Sequence, residues 1–173
     1  APAYVFDIMT KYTPASSKLV LNADDLISCR IAPQASDRVY FSIAHLPEDT
    51  PGPQGIVCDL TACPECGGKL EYDWCHLRHL GHARCTRCGS TNPEADYVVT
   101  AIDHEAKTFT VQERRAEGAP EYRYPFSLYS VANIYNLLTV VVTARELGLS
   151  PEQIAASLGR VSLPSERFVE RTA

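Results

Sequence analysis

Two cysteine pairs of the form Cys-x-x-Cys-Gly lie close together in the middle of the chain, Cys63 with Cys66 and Cys85 with Cys88. Each pair is predicted to form a tight turn that points two thiolates at one metal ion, and the glycine that follows lets the backbone turn. Four sulfur ligands complete a tetrahedral Zn²⁺ site and leave no open position for water or substrate. The spacing therefore predicts a structural zinc ribbon.

Disulfide bonds are the alternative use of such cysteines. The chain has 7 cysteines, an odd number that leaves one unpaired, and the spacing is the one typical of zinc sites. Cys29, Cys58 and Cys75 lie outside the pairs and are predicted to be ordinary reduced residues. Three histidines lie between the pairs: His76, His79 and His82. Because four cysteines already saturate the ion, these histidines are predicted to lie on the ribbon surface or beside the ligands.

Length, composition and net charge limit the classes of protein and of partner that fit this chain. A chain of 173 residues with 45% apolar content is long enough for one hydrophobic core and a metal-stapled insert. Its longest apolar run, Leu137 to Ala144, is too short to cross a bilayer. The first residues include an aspartate and no basic leader, so we expect a cytoplasmic protein without a signal peptide. A net charge of −5 argues against nucleic acid as a partner, since phosphate binding needs a basic face.

The segment before the cysteines predicts an α/β sheet. Lys18–Leu21 is a short apolar run followed by Asn-Ala-Asp-Asp, which indicates a buried strand with polar groups at its carboxyl end. Ligands bind at that edge of α/β sheets, so Asn22 and Asp24 are candidate ligand-binding residues. Val39–Ile43 predicts another strand. Pro47–Gly55 is rich in proline and glycine and predicts a linker into the ribbon.

The segment after the cysteines predicts more strands and then two helices. Residues 97–102 and 108–111 read as a hairpin, and residues 122–126 as one further strand. Apolar residues at helical spacing then lead to a stop at Gly148, and Ser150 opens a second helix with a capping box. We therefore predict one α/β domain, a sheet flanked by helices, formed by residues 1–57 and 97–173. The zinc ribbon, residues 58–96, is predicted to be inserted in it.

Two asparagines at the start of the long helix are candidate ligand contacts. Asn133 and Asn136 are three residues apart and so share one helical face. A carboxamide offers both a donor and an acceptor to the edge of a heterocycle. Taken alone, the pair is also compatible with a helix cap beside a solvated residue.

In chain order, these features resemble the central domain of the Mur ligase family. They are Asn-Ala-Asp-Asp after a strand, a four-cysteine ribbon, Asn-x-x-Asn opening a helix, and Leu163-Pro-Ser-Glu-Arg167-Phe. The ribbon beside the asparagine motif is similar to one branch of the family, the MurT-like ligase subunits, because other Mur ligases lack it. The resemblance runs from about Leu19 to Arg167.

The resemblance implies roles for individual residues. Asn133 and Asn136 match the pair that contacts the adenine of ATP in this family, and Arg167 matches an arginine that reaches the ribose and phosphates. Here Glu166 precedes that arginine, where the family has glycine or histidine. In the intact enzyme that this chain resembles, ATP phosphorylates the α-carboxylate of D-glutamate in lipid II. Ammonia from a GatD-like class I glutaminase subunit then gives D-isoglutamine, a step of bacterial peptidoglycan synthesis.

The sequence contains no glycine-rich loop of the Gly-x-x-x-x-Gly-Lys-Ser/Thr type. ATP and Mg²⁺ are therefore expected in the full-length enzyme, and this chain is expected to be a fragment or a truncated relative with no catalytic residue of its own and little ligase activity. A different class of function stays open: a non-catalytic zinc-ribbon module that binds a protein partner on a Mur ligase scaffold.

Overall fold

The structure is a computed structural model that describes residues 2–53, 60, 62–77 and 80–161. Its elements, in chain order, are α1 Pro2–Tyr12, β1 Lys18–Asn22, β2 Asp37–Ile43, β3 Leu70–Leu77, β4 Leu80–Cys85, β5 Tyr97–Asp103, β6 Thr108–Glu113, β7 Glu121–Pro125, α2 Val131–Glu146 and α3 Pro151–Leu158. None of the helices in these ranges is long and apolar enough to cross a membrane.

The main sheet has five strands in the order β1-β2-β5-β6-β7. The first three are parallel, and β6 and β7 extend the sheet in antiparallel fashion. Parallel pairing places the carboxyl ends of β1 and β2 side by side, at Asn22 and Ile43. The predicted strands of this sheet are confirmed, and so is the α/β class.

Helices α2 and α3 cover one face of this sheet and form the main core with it. The sheet contributes alternate residues, including Val39, Phe41 and Ile43 from β2, because successive side chains of a strand point to opposite faces. From α2 come residues at helical spacing: Ile134, Tyr135, Leu138, Val141 and Val142. This burial of aliphatic and aromatic side chains is the main force that holds the helices on the sheet.

The helix ends follow the capping rules that the sequence predicts. Ser130 caps α2 by accepting a hydrogen bond from the backbone N–H of Asn133, at 3.1 Å. Gly148 ends this helix region with a φ of +89°, a left-handed conformation that favours glycine. Ser150 and Gln153 form the predicted capping box at the start of α3. These caps fix the lengths of both helices.

Strands β3 and β4 form a separate two-stranded antiparallel sheet that carries the cysteine pairs at one end. The described part of the predicted linker, residues 47–53, is hydrogen-bonded to this hairpin, which departs from a connection without regular structure. Thr50 exchanges backbone hydrogen bonds with Cys75 of β3, at 2.8 and 3.1 Å. The Asp49 carboxylate is buried with a side-chain exposure of 1%. The segment therefore ties the hairpin to the carboxyl end of β2.

Candidate functional site

The four paired cysteines converge on one point. The Sγ atoms of Cys63, Cys66, Cys85 and Cys88 all lie within 4.8 Å of one another. Two of the separations are 3.7 Å, from Cys63 to Cys88, and 3.5 Å, from Cys66 to Cys85. Sulfurs at about 2.3 Å from one tetrahedral ion lie about 3.8 Å apart. The cluster therefore fits a four-coordinate metal ion and is too open for disulfide bonds.

Each pair forms the same turn. Gly67 donates its N–H to the carbonyl of Cys63 at 2.8 Å, and Gly89 donates to the carbonyl of Cys85 at 3.0 Å. Both glycines adopt positive φ, +70° and +73°. The backbone N–H of Glu65 donates to the sulfur of Cys63, and that of Arg87 donates to the sulfur of Cys85, each at 3.4 Å. Such bonds stabilise thiolates, the form in which cysteine binds metal.

Outside the cluster, Cys29 is a free thiol. Cys29 lies after β1 and Cys75 lies in β3. Burial raises the pKa of Cys29 to about 12, so its thiol stays protonated at neutral pH and unreactive. Cys58 lies outside the described residues.

The carboxyl end of β1 places Asn22 and Asp24 at the predicted sheet edge. The Asn22 side chain accepts a hydrogen bond from the Asp24 backbone N–H at 3.0 Å. The Asp24 carboxylate is 4% exposed and accepts two hydrogen bonds, from the Ile43 N–H at 2.9 Å and from the Tyr135 hydroxyl at 2.7 Å. Desolvation raises the pKa of Asp24 to about 6, although these two hydrogen bonds oppose the shift.

The side chain of His76 in β3 is buried at the junction between the hairpin and the main sheet, so the first of its two predicted placements, the ribbon surface, does not hold for it. Its Nδ1 lies 2.6 Å from the Asp49 carboxylate and its Nε2 lies 3.0 Å from the carbonyl oxygen of Ile43. The side-chain exposure of His76 is 0%. His82 is half-exposed beside Asp73, as predicted for a surface histidine, and His79 lies outside the described residues.

Asn92 joins the hairpin to the end of β1. Its amide nitrogen donates to the carbonyl oxygens of Ala23 at 2.6 Å and of Gly81 at 3.1 Å. Its amide oxygen accepts from the N–H of Ala83 at 2.7 Å. Gly81 in turn donates its N–H to the carbonyl of Asp24 at 2.9 Å. The unit that carries the cysteines is therefore hydrogen-bonded to the carboxyl end of β1.

The two asparagines of α2 lie in its first turns. The amide nitrogen of Asn133 donates to the carbonyl of Leu128 at 2.5 Å, and Asn136 is exposed to solvent. Neither caps the helix, since Ser130 does. Arg167, the third predicted nucleotide contact, lies outside the described residues.

Sequence reasoning missed the groups that join these parts. Tyr135 stands between the two asparagines and faces the core, where its hydroxyl reaches Asp24. Asp49 and Asn92 lie in loops, and their burial depends on contacts with distant parts of the chain. The available signal was the alternation in Tyr72-Asp-Trp-Cys-His76, which is typical of a strand with one covered face.

Comparison with known proteins gives a consistent set of relatives, although no family model matches the chain. The chain is 30% identical over 138 residues to "Lipid II isoglutaminyl synthase (glutamine-hydrolyzing) subunit MurT" of Staphylococcus aureus strains COL and N315, which covers 79% of this chain and 29% of each relative. The subunit of the same name from Streptococcus pneumoniae is 30% identical over 95 residues, 53% of this chain and 20% of that protein. The chain is therefore homologous to MurT proteins and spans less than a third of their length.

A solved structure shows the same fold. The "pseudomurein peptide ligase type C from Methanothermus fervidus" matches with a TM-score of 0.68 and 28% identity. The match covers 85% of this chain and 28% of that one. The described fold is thus Mur-ligase-like.

Proposed function

We propose that this chain holds the adenine end of ATP in a MurT-like ligase subunit of the Mur ligase family. The enzyme as a whole would amidate the α-carboxylate of D-glutamate in lipid II to D-isoglutamine. The observation that carries the proposal is the 30% identity to MurT over 138 residues. Those relatives are named as glutamine-hydrolysing, which supports a GatD-like class I glutaminase as the source of ammonia.

Each part of the site has a role in this proposal. Asn133 and Asn136 bond the adenine edge, because carboxamides supply the donor and acceptor that a purine requires. Asn22 and Asp24 form the sheet edge beside the nucleotide. The metal is a structural Zn²⁺, whose four cysteine ligands leave no position for substrate.

Phosphoryl transfer is assigned to other parts of the enzyme. The chain spans 29% of the S. aureus relatives and contains no glycine-rich phosphate loop. When bound, ATP would supply the phosphoryl group that activates the carboxylate, and Mg²⁺ would neutralise the charge on the phosphates. The residues of this chain bind and orient the adenine base. We accordingly propose that the chain alone does not catalyse amidation and that the enzyme works in the cytoplasm, where ATP is available.

The test compares Asn136→Ala with Thr143→Ala in the full-length protein purified with its glutaminase partner. Both residues are exposed on α2, two turns apart. Loss of the carboxamide is expected to raise the Kd of ATP about 3- to 10-fold, the cost of one net hydrogen bond or slightly more. Calorimetry measures this Kd, and metal analysis should find one zinc per chain in both variants. Equal ATP affinities in the two variants would remove the asparagines from the nucleotide site.

The alternative is a non-catalytic zinc-ribbon module that binds a protein partner. A full-length protein that also lacked a phosphate loop, as the sequence of this chain does, would favour this module. The two functions separate in one assay, in which the full-length protein and its partner receive lipid II, ATP and glutamine. Mass spectrometry of the product detects a decrease of about 1 Da for each carboxylate converted to an amide, and an unchanged mass would favour the module.

A further inference from the structure

Tyr135 links the asparagine face of α2 to the metal-binding unit. It lies between Asn133 and Asn136 in sequence but points into the core, where it is 6% exposed. Its hydroxyl donates to the Asp24 carboxylate at 2.7 Å. Its ring meets the ring of His76 edge-on, with the centroids 5.9 Å apart. One side chain of α2 therefore touches both the end of β1 and the hairpin.

His76 fixes the hairpin at this point. The carbonyl of Ile43 can only accept a hydrogen bond, so His76 Nε2 carries a proton and donates to it at 3.0 Å. The other ring nitrogen is held by Asp49 at 2.6 Å. Asp49 is itself oriented by the N–H of Leu46, at 2.6 Å. A fully buried imidazole with both nitrogens bonded has one position available to it, so the hairpin cannot shift without breaking these bonds.

We propose that Tyr135 and His76 are positioning residues that couple the metal-held hairpin to the adenine-binding face of α2. The inference rests on the proposed function. It gives the metal-held hairpin a role in nucleotide binding in addition to the structural role of its zinc ion. Neither residue touches the nucleotide. Both act on Asn133 and Asn136 by fixing the first turns of α2 against β3 and the end of β1.

The connection runs from the cysteines along β4 to the end of β1 and from there to α2. Cys85 ends β4, and Gly81 of the same strand donates its N–H to the Asp24 carbonyl at 2.9 Å. The Asp24 carboxylate accepts a hydrogen bond from the Tyr135 hydroxyl. Tyr135 directly precedes Asn136 in the chain. Such a chain of packed side chains and hydrogen bonds can carry energetic coupling between two sites.

Coupling between two binding sites is reciprocal. If the metal-held hairpin improves nucleotide affinity, the bound nucleotide improves metal affinity by the same factor. A coupling at the lower end of the usual range corresponds to about a fivefold change in the dissociation constant. The effect is therefore measurable at the metal, without any assay of catalysis.

The experiment measures the zinc affinity of the zinc-loaded full-length protein by equilibrium competition with a chromogenic chelator. It is done with and without a non-hydrolysable ATP analogue in excess Mg²⁺. The analogue is expected to tighten zinc binding about fivefold in the wild type. The same titration of chelator, zinc, analogue and Mg²⁺ without protein corrects for zinc bound by the nucleotide itself.

Two variants test the path and one controls for it. Tyr135→Phe and His76→Gln are expected to reduce the fivefold effect to less than twofold while one zinc per chain is retained. His82→Gln removes a half-exposed imidazole that bonds Asp73 on the same hairpin and should leave the effect intact. A wild type that binds the analogue with no change in zinc affinity would overturn the inference and leave the proposed function standing. A wild type that does not bind the analogue would overturn both.

Discussion

Asp24 is a carboxyl group whose surroundings change strongly when the chain folds. Its ordinary pKa of 3.8 rises to about 6 in the fold, chiefly because burial disfavours the charged form. The folded state therefore binds a proton more tightly than the unfolded state. Stability from this group is fully present below about pH 4, falls as the pH rises, and is lost above about pH 6.

This sign predicts how Asp24→Asn behaves. Relative to the variant, the wild type is expected to lose about 1 kcal/mol of unfolding free energy between pH 5 and pH 7. Urea denaturation of both proteins at several pH values in this window, with zinc in excess, measures the difference. A difference that stays constant with pH would show that Asp24 does not titrate in this range.

Gly68 lies against the cysteine cluster. A Cβ at this position would lie 2.7 Å from the Cβ of Arg87, 3.1 Å from the sulfur of Cys85 and 3.2 Å from the sulfur of Cys66. Gly68→Ala must therefore push the sulfurs apart or move the second turn, and we expect zinc affinity to fall about tenfold or more, as ligand geometry is disturbed. Competition with a zinc chelator measures the change.

Gly52→Ala is the matched control for this substitution. A Cβ at Gly52 meets no atom within 4 Å, and its φ is not in the left-handed region. Zinc affinity should be unchanged. If both variants bound zinc like the wild type, the close contacts at Gly68 would have no consequence for the metal.

Among the elements, the β3–β4 hairpin depends on Asn92 for its attachment to β1. Replacing Asn92 by alanine leaves two carbonyls and one N–H without their partner in a site that is 9% exposed. The expected loss of unfolding free energy is about 2–4 kcal/mol, summed over these groups. Asn92→Asp should be no better, because a carboxylate cannot donate to the carbonyls of Ala23 and Gly81. Urea unfolding compares the two variants, and an aspartate as stable as asparagine would contradict this account.

The elements predicted correctly from the sequence are those whose determining contacts lie within a few residues of one another in the chain. Ser150 and Gln153 cap α3 through bonds within four residues, so the capping box is readable from the chain alone. The metal cluster is local in the same sense, since each turn is set by a Cys-x-x-Cys-Gly segment. Strands β3 and β4 were not predicted individually, because the alternation in residues 72–76 is short and two register shifts interrupt the pairing of the two strands.

At the scale of the whole molecule, the sequence predicts the α/β sheet and the four ligands, but not how the metal-held unit meets the sheet. That junction consists of pairs far apart in the chain, such as His76 with Ile43 and Tyr135 with Asp24. A buried polar residue has the same letter as an exposed one, and its burial follows only from tertiary packing. The role of Asn133 and Asn136 as adenine contacts stays a prediction for the same reason, since the spacing of two asparagines does not determine which ligand atoms lie beside them.

The distribution of apolar contacts predicts that removal of zinc unfolds the β3–β4 hairpin with its cysteine turns, while the main sheet and its helices stay folded. Apart from Leu80 at its margin, the main core takes its members from the main sheet, the segments flanking it, α2 and α3. Among the described residues, the metal-held unit contributes Leu70 and Ala83 to a small apolar cluster, which it shares with Leu26 of the loop after β1. A cluster of that size does not fold a hairpin alone, so metal binding and folding are expected to be one equilibrium there.

Hydrogen exchange before and after chelation checks this separation. Amides of residues 62–77 and 80–92 should lose protection when zinc is removed, whereas those of β5 and β6 should keep it, since their hydrogen bonds lie inside the main core. Cys66→Ser should reproduce the chelated pattern without any chelator, because three ligands hold zinc more weakly than four. Loss of protection throughout β5 and β6 would show instead that the metal stabilises the whole molecule, and full protection of the hairpin after chelation would show that the metal does not hold it.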